Sequence, residues 1–286
     1  MSVLAAAYAQ CEARARSHSE NFPIGSWLLP RRLRRDLAAV YAFARLADDI
    51  ADEGDAPPAA RLAALDRLEA RLVASASDPA SATDPVFLAL GHTIAQHALP
   101  VGPFRDLLTA FRRDAAGTTR GFATFTDVLA YCRCSANPVG RIVLGLFGHR
   151  DAALVARSDD VCTALQLTNF WQDVRGDLVE RGRVYVPQED LDRFPGSRDA
   201  LAQQCMTPGL RDCLVFQVER TRALFQHGLG LAELVTGRLR REVRLFAHGG
   251  LVVLDRIEAN DYDVLARRPT LGRADLARLV WKEIWR

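Results

Sequence analysis

Gln166-Leu-Thr-Asn169-Phe-Trp-Gln-Asp173-Val-Arg-Gly-Asp177 sets its polar residues three, four and four positions apart. At about 100° per residue, Gln166, Asn169, Asp173 and Asp177 fall within about 80°, one stripe along a helix. Leu167, Phe170, Trp171 and Val174 stand between them, so the remaining faces of this helix read as enclosed. A polar stripe on an enclosed helix is costly unless it is hydrogen-bonded internally or lines a cavity. Two readings stand at this point: a buried network without chemistry, or the wall of a polar site.

Upstream, Tyr41-Ala-Phe-Ala-Arg45-Leu-Ala-Asp48-Asp49-Ile-Ala-Asp52 repeats the pattern. Tyr41, Arg45, Asp48 and Asp52 share about 60° of a helix, with Asp49 on the flank of that stripe. Carboxylates crowded on one turn repel, and Asp is a poor helix former. A cation among them removes the repulsion, and oxygen ligands at this density suit Mg²⁺, which shares its coordination with waters and substrate phosphates. The alternative is a solvated acidic helix end before the breaker Glu53-Gly-Asp-Ala-Pro-Pro58. Two acid helices facing each other across a bundle would hold several divalent ions above apolar walls. Such a site suits a diphosphate head with an apolar tail, because metal ions stabilise departing diphosphate and a dry pocket protects a carbocation.

The rest of the chain reads as helix. Ala, Leu and Arg dominate, and breakers at 53–58, 75–85, 99–103, 194–197 and 267–270 cut it into helix-sized pieces. With no linker, repeat or strand–glycine-loop–helix unit, residues 1–286 read as a single all-α domain. Of 286 residues, 49% are apolar and 25% charged, which excludes a disordered chain. The net charge of +2, from 37 basic and 35 acidic side chains, argues against nucleic acid as a partner. Lys282 is the only lysine. Six cysteines without CxxC or zinc spacing read as free thiols of a reducing cytosol. The N-terminus lacks the pattern of a secretory signal and no apolar run reaches membrane-spanning length, so a cytoplasmic location is expected.

Three further segments carry candidate chemistry. Gly182-Arg183-Val-Tyr185-Val-Pro187 puts Arg183 and Tyr185 just beyond the second stripe, within reach of the same diphosphate or in an ordinary loop. Tyr131-Cys-Arg-Cys-Ser-Ala-Asn137-Pro138-Val-Gly140 places a proline inside an apolar segment, where it interrupts a helix and frees backbone carbonyls. Asn137, with donor and acceptor side by side, is a candidate for holding a water there. Ser19-Glu-Asn21-Phe22-Pro23 precedes Leu28-Leu-Pro30-Arg31-Arg-Leu-Arg34, a solvated helix start or a surface for anionic lipid.

Together these residues resemble the squalene and phytoene synthase family. Tyr41 to Asp52 is similar to its first motif, RxxDDxxD; Gln166 to Asp177 with Gly182 to Pro187 is similar to its second, QLTNxxxDxxxD followed by GRxYxP. Gly249-Gly250, Ile257-Glu258 and Tyr262-Asp263-Val264 add to the likeness. The resemblance implies an isoprenoid-synthase helical bundle around a central cavity and an isoprenoid diphosphate substrate. It implies Mg²⁺ ligands at Asp48, Asp49, Asp52, Asn169, Asp173 and Asp177, and substrate contacts from Arg45, Gln166, Arg183, Tyr185, Phe22 and Ser19. Tyr41 faces the cavity in this scheme, and Tyr41, Asn137 and the aspartates 48, 52, 173 and 177 are the catalytic candidates.

Within the family, the segments ENFPIGSWLLP, RLADDIADEG, SANPVGR and NFWQDV are most similar to the bacterial hydroxysqualene-forming branch of hopanoid biosynthesis. That branch converts presqualene diphosphate and water to hydroxysqualene and diphosphate. The alternatives are head-to-head condensation on the same scaffold and, in a different class, a non-catalytic assembly homologue. An apolar product leaves peripheral contact with the inner membrane face open. One departure stands out. The family pattern D-x4-R-Y is replaced by Asp114-Ala-Ala-Gly-Thr-Thr-Arg120-Gly-Phe122, with longer spacing and no tyrosine.

Overall fold

A computed structural model describes residues 2–17 and 30–284, with the side chains of 31, 273, 276 and 282–284 outside the description. No β-strand occurs among the described residues, as the all-α reading expects. The chain divides into two compact units, 1–118 with 138–155, and 119–137 with 156–286.

The first unit contains α1 (Val3–Ser17), α2 (Arg31–Asp52), α3 (Pro58–Ser77), a single 3₁₀ turn at Pro79–Ser81, α4 (Pro85–His97), α5 (Gly102–Ala115) and most of α7 (Asn137–Leu146). Its helices begin and end where local chemistry dictates. Pro58 and Pro85 stand in the first turns of α3 and α4, where a missing N–H costs nothing, and Asp84 accepts from the Val86 N–H at 2.8 Å. The core centres on Phe43 of α2, edge-on to Phe87 (6.2 Å) and Phe104 (5.9 Å). All three rings are essentially out of water. Two polar pairs stand within the core: the Tyr8 and Thr93 hydroxyls lie 3.0 Å apart, and Asp36 Oδ2 meets His97 Nε2 at 2.9 Å. Tyr41, half-buried, packs against this core.

The second unit contains α6 (Phe125–Ser135), most of α8 (Ala152–Gln172), α9 (Val174–Arg181), α10 (Gln188–Arg193), α11 (Ser197–Ala202), α12 (Pro208–Gly228), α13 (Leu231–Leu234), α14 (Gly237–Ala259) and α15 (Arg273–Ile284). A reciprocal capping box, Thr124 with Asp127, starts α6. Trp171, Leu167, Phe225, Leu254 and Ile257 make the core, and the Trp171 indole N–H donates to Thr221 at 2.9 Å. α12 and α14 approach closely at Gly250. A Cβ there would stand 2.3 Å from Phe225 Cζ, so only glycine fits.

The expected interruption at Pro138 is present. α6 stops at Ser135, the Ala136 N–H still donates to Cys132 at 2.9 Å, and a new helix starts at Asn137. All six cysteines are free thiols. No described helix is long and apolar enough to cross a membrane.

Candidate active site

The first acid motif occupies the last turns of α2, as its spacing predicts. Arg45 is the hub. Its Nη1 donates to Asp48 Oδ2 at 2.9 Å, its Nη2 to Glu53 Oε1 at 2.6 Å, and its Nε lies 2.6 Å from Asp49 Oδ1. From α1, Arg14 Nη2 donates to Asp49 Oδ2 at 2.6 Å. Asp52, at the helix end, is exposed. Arg61 of α3 orders the following loop, donating to the carbonyls of Ala51, Gly54 (2.6 Å) and Ala56 (2.9 Å).

The second motif is nearly the helix that its periodicity describes. Leu167, Phe170, Trp171 and Val174 are buried, Gln166 is half-buried and Asn169 is exposed. The helix does not run unbroken. Asp173 leaves helical geometry (φ −107°, ψ 15°) between α8 and α9, although its N–H still donates to Asn169 at 3.0 Å. Its carboxylate is gripped by Arg268, whose Nε and Nη2 (2.7 Å to Oδ2) take one oxygen each. Gln172 donates to the Pro269 carbonyl and Arg175 to Leu265 O at 3.1 Å, so the segment after α14 is tied to α8 and α9 at three points. That segment returns through Asp261 and Tyr262, both left-handed at φ 53° and 60°. Asp173, Asp177, Arg175, Arg181, Leu265 and Arg268 line an open cavity of about 680 Å³ within this unit.

Gly182 caps α9 in the left-handed conformation (φ 61°), which L side chains rarely adopt, and turns the chain into the GRVYVP segment. Val184 and Gln188 then donate to Arg120 O (3.0 Å) and Phe122 O (2.9 Å). This path brings Arg183, Tyr185 and Asp177 around a second, small cavity of about 10 Å³, room for one water. Tyr185 is buried and stacked flat on Phe170, centroids 3.6 Å apart, with Phe122 and Tyr131 around it. Asn137 is buried, and its Oδ1 accepts from Thr163 Oγ1 at 2.9 Å. Asp114 lies at the end of α5 and Arg120 is exposed. Ser19 and Phe22 lie outside the described residues.

Charge decides whether a cation fits. In the first unit, Asp48, Asp49, Asp52 and Glu53 face only Arg14 and Arg45 among the pairings above. Four carboxylates gathered at one helix end are the oxygen-donor set that a hard divalent cation takes. In the second, burial pushes the Asp177 carboxyl up to about 6; Asp173 adds to the rise, and Arg181 and Arg183 oppose it. A carboxyl raised mainly by burial is one that a cation entering the cavity would favour in its ionised form. Among the described residues, no three His, Cys, Asp or Glu side chains already form a metal cage. Mg²⁺ does not require one, since it keeps waters and binds through one or two carboxylates plus substrate phosphate. The donors fit a hard cation.

Arg14, Arg61 and Arg268 belong to these clusters from outside both motifs, and Gln172 and Arg175 do so from positions of the second motif outside its polar stripe. Carboxylates and arginines clustered on helices are a combination suited to a polyanion held through a cation. Comparison with known proteins narrows the class. The squalene/phytoene synthase family profile matches residues 15–275. The hydroxysqualene synthase of Rhodopseudomonas palustris is 37% identical over 225 residues, 78% of this chain and 74% of that protein. The phytoene synthase of Mycobacterium tuberculosis is 31% identical over 271 residues, 90% of this chain and 87% of that one. The crystal structure of squalene synthase HpnC from Alicyclobacillus acidocaldarius superposes with a TM-score of 0.85 at 41% identity, covering 91% of this chain and 95% of that one.

The chain belongs to the squalene/phytoene synthase family. Its fold is the all-helical isoprenoid-synthase fold, and its family comprises enzymes that process prenyl diphosphates head to head with divalent metal ions.

Proposed function

We propose that this chain converts presqualene diphosphate and water to hydroxysqualene and diphosphate, a carbon–oxygen lyase step towards squalene and hopanoids. The observation that carries this reading is the 37% identity to a hydroxysqualene synthase, above the 31% to a phytoene synthase. Mg²⁺, when bound, supplies the charge that draws diphosphate off the substrate. Asp48 and Asp52 on α2 would hold such an ion in the first unit, and Asn169, Asp173 and Asp177 around the α8–α9 break would do so in the second. Arg45 and Arg183 bind the diphosphate oxygens, and Gln166 and Tyr41 orient the isoprenoid. Tyr185, stacked on Phe170, contributes an aromatic wall beside Asp177. The carbon–oxygen bond breaks with its electron pair leaving on diphosphate, and the cyclopropylcarbinyl cation rearranges to an allylic one. Water then adds to that cation and loses a proton. Asn137 orients this water or the backbone beside it.

The phytoene synthase relatives favour a second reading, head-to-head condensation of two prenyl diphosphates. Incubation with presqualene diphosphate, farnesyl diphosphate or geranylgeranyl diphosphate and Mg²⁺, with products resolved by mass spectrometry, separates the two. Hydroxysqualene from presqualene diphosphate is the expected result. Dehydrosqualene or phytoene from the shorter substrates would establish the condensing reading instead.

A further inference from the structure

The stretch that departs from the family pattern ends on a buried ring. Arg120, Gly121 and Ala123 are exposed around it, yet Phe122 is only 3% exposed. Its ring packs edge-on to Tyr131 of α6, centroids 5.6 Å apart, and stacks at 25° on Tyr185, centroids 5.8 Å apart. Tyr185 in turn lies flat on Phe170 of α8, and Tyr131 stands 6.2 Å from Phe170. Four buried rings from four segments of the second unit thus form one cluster.

The main chain makes the same connection. The N–H groups of Val184, Gln188 and Glu189 donate to the carbonyls of Arg120 (3.0 Å), Phe122 (2.9 Å) and Ala123 (3.1 Å), and the Phe125 N–H donates to Glu189 Oε1 at 2.7 Å. Arg183 stands at the start of this pairing, its own N–H donating to Asp177 O at 2.9 Å. Its backbone is therefore fixed by Asp177 on one side, by Arg120 through Val184 on the other, and by the ring of Tyr185 two residues on. Stacked and edge-on rings favour one mutual orientation, and a close-packed cluster leaves little room to slide. A guanidinium that starts from a fixed backbone loses less freedom on gripping an oxyanion. Leucine at 122 would fill much of the volume without the flat contact to Tyr185.

We propose that Phe122 is a positioning residue: its ring holds Tyr185 in the cluster and so fixes the backbone from which Arg183 reaches diphosphate. This rests on the reading of Arg183 as a diphosphate contact. Binding of inorganic diphosphate at one fixed Mg²⁺ concentration, measured by calorimetry, reads the effect without turnover. Arg183→Gln should weaken diphosphate about tenfold, the scale of one charge-assisted contact. Phe122→Leu should weaken it about fivefold, the scale of one more side chain to be ordered on binding. Added to Arg183→Gln, Phe122→Leu should cause no further loss, because it acts through the group already removed. Phe122→Tyr, which keeps the ring, should restore most of the affinity. Val218→Ala, at a buried position of α12 outside the four rings, should lower the melting temperature and leave diphosphate affinity unchanged.

Wild-type affinity in Phe122→Leu would overturn the proposal, as would additive losses in the double variant or an equal loss in Phe122→Tyr. A loss in Val218→Ala as large as that in Phe122→Leu would overturn it too, since general loosening would then account for both. If Phe122→Leu loses its helical circular dichroism, Phe122→Met carries the comparison, and wild-type affinity in it overturns the proposal. Unchanged affinity in Arg183→Gln, or an unaltered protein that binds no diphosphate, would overturn the underlying site reading, and the inference with it.

Discussion

Arg268 lays its guanidinium across both carboxylate oxygens of Asp173, a pairing between residues 95 positions apart in the chain. A bidentate fork of this kind is the geometry in which arginine binds carboxylate most strongly. The same two oxygens are those proposed to meet the cation, so pairing and metal binding compete for one group. Arg268→Gln should therefore lower the melting temperature of the metal-free protein by a few degrees, consistent with about 1 kcal/mol for a partly exposed pair. It should also enlarge the stabilisation that Mg²⁺ provides. Differential scanning fluorimetry with and without Mg²⁺ reads both, and identical behaviour to wild type would show that Arg268 and Mg²⁺ do not compete.

Removing a carboxylate from either motif tests the metal directly. Asp48→Ala and Asp173→Ala should each reduce turnover by at least about 100-fold, roughly 2.7 kcal/mol of barrier, with helical circular dichroism unchanged. Near-normal turnover in both would exclude a two-motif site. Collapse of helicity would favour a purely structural polar network.

Acidity should act on the metal-free protein through Asp177. Its carboxyl is raised from 3.8 to about 6 by burial first and Asp173 next. Between these values the folded form binds more protons than the unfolded one, so stability from this group falls as pH rises from about 4 to about 6 and is level above that. In the presence of a chelator, wild type should gain stability on going from pH 7 to pH 5 relative to Asp177→Asn, by about 1 kcal/mol. Parallel pH profiles of the two proteins in chemical denaturation would contradict this.

Nicotinamide should be irrelevant. The proposed reaction ends on water, so NADPH should change neither rate nor product. An NADPH-dependent appearance of squalene, detected by gas chromatography, would move the chain to the reductive synthases.

Asn137 is held by Thr163 at 2.9 Å, with both residues buried. Asn137→Gly should keep diphosphate release and shift products from hydroxysqualene towards eliminated or rearranged hydrocarbons. It should also cost about 1–2 kcal/mol of stability, because the Thr163 hydroxyl loses its acceptor. Hydroxysqualene as the sole product would leave Asn137 with a structural task alone.

Much of this architecture is written locally. The breakers at 53–58, 75–85 and 99–103 mark the ends of α2, α3 and α4 because proline and glycine act within a residue or two of where they stand. The Tyr41–Asp52 stripe lies on one helix as its spacing requires. The break at Asp173 was not legible, since the group that grips its carboxylate lies in the segment read only as the breaker Arg267-Arg-Pro-Thr270. Arg14 was invisible for a related reason. In a chain with a single lysine, an arginine on a helix carries no local mark separating a site residue from a solvated one. Pairings made by tertiary packing have no period to detect.

The close crossing at Gly250 has a consequence for how the groove beside Asp173 opens. With Phe225 pressed where a side chain would otherwise project, α14 has no room to slide or roll against α12. The left-handed pair Asp261 and Tyr262 follows directly after that helix, and Arg268 lies beyond it. Freeing Asp173 from Arg268 would then fall to residues 263–269, at the cost of the ties from Gln172 and Arg175 as well. An alanine at Gly250 would press on the Phe225 ring and unsettle the helix from which that segment returns.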